Sequence, residues 1–73
     1  WAVELFELNT RLFPDDGNLW DSLGEAYLAD RQYASAQESF RTAIALGAIS
    51  SDCFWCENSR EKLSDLEAST EQP

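Results

Sequence analysis

Histidine is absent from this 73-residue sequence and basic residues are scarce: five Lys and Arg stand against fourteen Asp and Glu, for a formal charge of -9. Without histidine, the commonest general base and the usual nucleophilic triads are excluded. The acidic excess repels polyanions, and no Lys/Arg patch offsets it, so neither nucleic acid nor an anionic membrane surface is an expected partner. No apolar run approaches the ~20 residues that span a bilayer. The first residues show no basic-then-apolar signal pattern, which says nothing about a longer parent chain. A phosphate-cradling loop is also missing, because Asp15-Asp16-Gly17-Asn18 lacks both repeated glycines and a following lysine. No catalytic residue, metal or cofactor is expected, and any enzymatic activity would lie in unseen parts of a parent protein.

What is present argues for a small folded domain. The hydrophobic fraction of 44% and aromatic content of 12% oppose disorder. A chain this short builds only a shallow core, with marginal stability unless neighbours cover its ends. It opens at Trp1 without an initiating methionine and in helical pattern, so a piece of a longer polypeptide is expected.

Apolar spacing of three and four residues predicts four helices near 1–13, 18–30, 34–47 and 54–67, an all-α fold. Pro14 stops the first, and Asn18 is the expected N-cap of the second, with Asp15 and Asp16 near its positive end. Gly47 is the expected C-terminal cap of the third. Short connections imply antiparallel neighbours. Small residues fall on the packing faces: Gly24, Ala36 and Ala43. Gly24 costs about 1 kcal/mol of helix propensity relative to alanine, a loss that close approach of two helices can recover. Trp20, Tyr27, Ala36 and Phe40 are expected in one buried cluster.

Trp20, Leu23, Gly24 and Tyr27, followed by Ala36, Phe40 and Ala43, resemble the signature of the tetratricopeptide repeat, a helix–turn–helix unit of 34 residues. The resemblance divides the chain into 1–16, the second helix of a preceding repeat; 17–50, a complete repeat; 51–68, a capping helix; and 69–73, a frayed tail. Shifting by one repeat sets Ala2 on Ala36, Phe6 on Phe40 and Leu12 on Leu46. Arg31 stands where the family favours glycine, and costs about 1 kcal/mol if its backbone is left-handed. The resemblance implies a protein- or peptide-binding module whose groove carries Asn18, Asp21, Ser22, Glu25, Leu28 and Ala29. Relatives that clamp a terminal carboxylate use basic residues at such positions, so Asp21 and Glu25 here imply a basic or neutral peptide instead. The chain is also similar to C-terminal repeat tails of some bacterial serine hydrolases. That similarity implies a structural or regulatory role, braced against the rest of the parent chain.

Cys53 and Cys56 form a CxxC pair beside Phe54 and Trp55. A thiolate near a helix N-terminus is stabilised, which permits redox exchange, whereas Asp52 and Glu57 oppose a low thiol pKa. Half a zinc site, or a disulfide pinning the loop, are alternatives. The favoured expectation is two reduced cysteines helping Phe54 and Trp55 to fill a terminal core. Asp21 and Glu25, one helical turn apart, are expected to be exposed.

Overall fold

The computed structural model describes residues 2–49 and 53–71. Among them it contains four helices and no strand: α1 (Ala2–Leu12), α2 (Gly17–Ala29), α3 (Tyr33–Ala48) and α4 (Cys56–Glu71). The 50/51 repeat border, Asp52 and the last two residues of the 69–73 tail lie outside the described residues. Each helix packs on its neighbour in sequence, most extensively α2 on α3. The body is flat, 37 × 29 × 13 Å in Cα extent. Its thin dimension is close to one helix diameter, so every helix keeps an outer face.

The helix ends follow local chemistry. Asp16, not Asn18, caps α2: its side chain accepts from the Asn18 backbone N–H at 3.1 Å. The α2–α3 turn closes with Arg31 N–H donating to Leu28 O and Gln32 N–H donating to Tyr27 O, both near 3 Å. That pair of bonds is a Schellman closure, whose left-handed position favours glycine. Arg31 occupies it at φ 62°. Gly47 does not cap α3. It lies inside the helix, Ile49 is the C-cap, and no glycine has positive φ.

Ala36, Phe40 and Leu66 form the core, flanked by Tyr27, Leu28 and Leu63. Trp20 is not part of it. The indole is only half-buried, and its N–H donates to Pro14 O at 2.8 Å. A large ring with one polar atom is satisfied at the rim, where that donor finds a carbonyl.

Gly24 meets the fully buried Phe40 ring face on. A Cβ at this position would stand 2.7 Å from Phe40 Cε1, inside contact distance. Replacing Gly24 with leucine should therefore destabilise the domain by about 1–3 kcal/mol despite leucine's better helix propensity. Urea melts of the two proteins measure it, and equal midpoints would contradict the close approach.

Candidate functional site

The chemically distinctive feature is the turn that leads into α4. Cys53 and Cys56 are joined by a disulfide three residues apart in sequence, which corrects the expectation of two reduced cysteines. Cys56 is buried as the first residue of α4, while Cys53 remains half-exposed. Both sulfurs lie against Gly47, where a Cβ would collide with them. The glycine inside α3 thus makes room for the disulfide.

Trp55, between the two cysteines, has a seat of its own. Its indole lies over Gly17, whose Cβ would come within 2.5 Å of the ring, and its N–H donates to Ala43 O at 2.8 Å. Phe54 does not fill a core as expected: it is 73% exposed, and its ring meets Trp55 edge to face at 5.1 Å between centroids.

From this turn α4 runs along α2 in a constant register. Trp55 meets Gly17, Ser59 meets Asp21 and Lys62 meets Glu25, while Leu66 and Leu28 belong to the same core group. An offset that stays constant as both numbers rise means that the two helices run in the same direction. Ser59, fully buried, donates to Asp21 Oδ1 at 2.6 Å. Asn58 Nδ2 reaches both Asp21 oxygens at 3.2 and 3.3 Å and Glu25 Oε1 at 3.4 Å. Lys62 Nζ lies 3.5 Å from the same Glu25 oxygen. Farther along, Arg41 and Glu67 pair at 3.5 Å.

These contacts occupy the α2 face to which the resemblance assigns a groove. Asp21 is 7% exposed rather than open to solvent. A buried carboxylate needs partners, and α4 supplies them. Glu25 is exposed but engaged, Leu28 is in the core group, and Asn18 and Ser22 are half-buried, leaving Ala29 exposed. Asn58, Ser59 and Lys62 were not legible as partners, because only their spacing of three and four residues on one helix hints at a shared face.

Ala29 does border a separate cleft of about 480 Å³ between α1 and α2, whose acidic lining is Glu4, Glu7 and Asp30. There Tyr27 donates its phenolic O–H to Glu7 Oε2 at 2.5 Å. Burial first, then that bond and the adjacent Glu7 charge, push the Tyr27 pKa up to about 12. Among the described residues, no three ligating side chains converge as a metal site, and no helix is long and apolar enough to cross a membrane.

A raised phenol pKa means that the unfolded chain gives up its proton first as pH climbs. The stability from Tyr27 should thus be complete below about pH 10, the unfolded value, and be lost as pH rises toward about 12. Chemical melts between these limits, with Tyr27→Phe as reference, check this. Parallel pH profiles for the two proteins would refute it.

No protein-family model, curated protein or solved structure matches the chain, so what it does is argued from the Cys53–Cys56 turn and its surroundings.

Proposed function

We propose that the chain is a small all-α module whose chemistry resides in Cys53 and Cys56 as a thiol–disulfide couple. The observation that carries this is the formed disulfide with unequal access, Cys53 half-exposed and Cys56 buried at the start of α4. Bridging four residues constrains the unfolded chain little: loop entropy gives about 2 kcal/mol, against about 3 for a 15-residue loop. Such a bridge is poorly suited as a staple and is within reach of reduction.

The exchange begins when a partner thiolate attacks Cys53 Sγ. The sulfur–sulfur bond breaks, and its electron pair leaves on Cys56 Sγ as a thiolate. The partner's second thiol, after losing its proton, attacks the mixed disulfide and releases Cys53 as a thiolate. The partner dithiol is thereby oxidised by two electrons, and the pair is reduced. The α4 N-terminus favours the leaving thiolate. Opposing it are Glu57 and the carbonyl end of α3, which reaches the sulfurs at Gly47. With these influences balanced, the couple is a mild one.

Its potential is expected between about -200 and -300 mV, away from the strongly oxidising value of about -120 mV. Equilibration in graded dithiol buffers, followed by thiol labelling and mass measurement, gives the number. Cys53→Ser should abolish exchange with a protein dithiol while leaving the helical signal intact. A bridge that is reduced only below about -300 mV, or a wild-type disulfide that does not exchange with a protein dithiol, would make the disulfide purely structural.

The scaffold is best understood as a degenerate tetratricopeptide hairpin. This rests on Gly24 lying under Phe40, and on Ala36 and Ala43 being fully buried at signature positions. A second reading, recognition of a basic peptide, is favoured by the cleft that Glu4, Glu7 and Asp30 line. Each exposed ion pair there would contribute about 0.2–1 kcal/mol and weaken with salt. Titrating Lys-rich and Glu-rich peptides at low and moderate salt should show salt-sensitive binding of the basic set alone. Equal binding of both sets would remove this second reading.

A further inference from the structure

α1 is apolar on two opposite sides. Its inner side carries Val3 and Phe6, both half-buried, with buried Thr10 and with Glu7 bonded to Tyr27. At about 100° per residue, Leu5, Leu8 and Leu12 fall on the opposite side. There they stand 53%, 48% and 61% exposed. The residues beside this stripe are arranged unequally. Glu4 and Arg11, two turns apart, share one flank, while Ala2 and Asn9 share the other. Both charged residues are exposed, and among the described residues neither has an ion-pair partner.

We propose that this face receives a second copy of the chain, α1 against α1, antiparallel about a twofold axis. Such an axis lies perpendicular to both helices and sets like flanks side by side. Glu4 then comes beside Arg11 of the partner subunit, and the symmetry makes the pair twice. A parallel arrangement would instead bring the charged flank beside Ala2 and Asn9 and pair nothing. The leucine stripe of each copy is covered by that of the other, in an interface that is isologous as twofold symmetry requires. Three leucines a side fall well short of the roughly 1,200 Å² of a stable interface, so the dimer is weak and depends on concentration. With each copy at -9, moderate salt assists by screening the mutual repulsion.

Sedimentation equilibrium of the intact chain, from about 10 to 500 µM in moderate salt, should show reversible dimerisation in that range. Leu8→Glu should raise the dissociation constant at least about tenfold, with circular dichroism confirming the unchanged fold. Glu4→Arg and Arg11→Glu should each weaken the dimer, and the two changes together should restore it, since the swap re-forms both pairs in reverse. A monomer throughout the range overturns the proposal. So does a dimer that is indifferent to Leu8→Glu, or a double variant no tighter than the single ones.

Discussion

The bond from Ser59 to Asp21 is the constraint around which the rest is arranged. An aspartate this buried is tolerable only while donors reach it, and the donors that reach it, Ser59 and Asn58, come from α4. If α4 leaves, Asp21 loses the donors that satisfy it in the folded domain. Yet α4 brings little apolar surface of its own, with Cys56 and Leu66 its buried apolar residues. Its position is therefore set at the two ends: Leu66 in the core at one, and the disulfide turn at the other. The polar contacts between fix the register, because sliding α4 by one residue along α2 would separate Ser59 from Asp21 and Lys62 from Glu25 together.

Under the proposed thiol–disulfide reading, this arrangement links sulfur exchange to helix docking. The disulfide rests on Gly47 of α3, and Trp55 rests on Gly17 of α2. The turn thus touches both helices of the central hairpin at places where a side chain larger than hydrogen would exclude it. Two separate thiols occupy more room than a bonded pair, since non-bonded sulfurs repel to a longer distance. The pocket at Gly47 therefore suits the oxidised form. The Trp55 N–H bond to Ala43 and the Asp21 contacts hold α4 without involving sulfur.

The helices were legible in the sequence because their signals are local. Apolar spacing marked all four, and the cost of Arg31 in a left-handed turn was readable from the glycine it replaces. Gly24 was legible too, since a glycine amid a helical apolar pattern needs a close neighbour, but the choice of Phe40 over Trp20 and Tyr27 as that neighbour was not. What escaped was tertiary. Asp21 and Glu25 look like any solvated carboxylate pair until α4 is laid beside them, and no feature of α2 alone announces that. Gly47 has the sequence position of a cap, but space for sulfur rather than left-handed backbone accounts for it. The N-cap moved from Asn18 to Asp16 because either side chain suits the role, and the path out of Pro14 decides between them.

The glycines connect these observations. All three, Gly17, Gly24 and Gly47, receive something bulky: an indole, a phenyl ring and a disulfide. In a chain too short for a deep core, contact area has to come from pressing a few large groups against bare backbone rather than from layers of leucine. This makes the fold stiff to substitution at three points. It also explains why leucines remain on the outside of α1. The inner contacts of that helix are made by half-buried Val3 and Phe6 and by the Glu7–Tyr27 bond, so Leu5, Leu8 and Leu12 have no part in closing the domain.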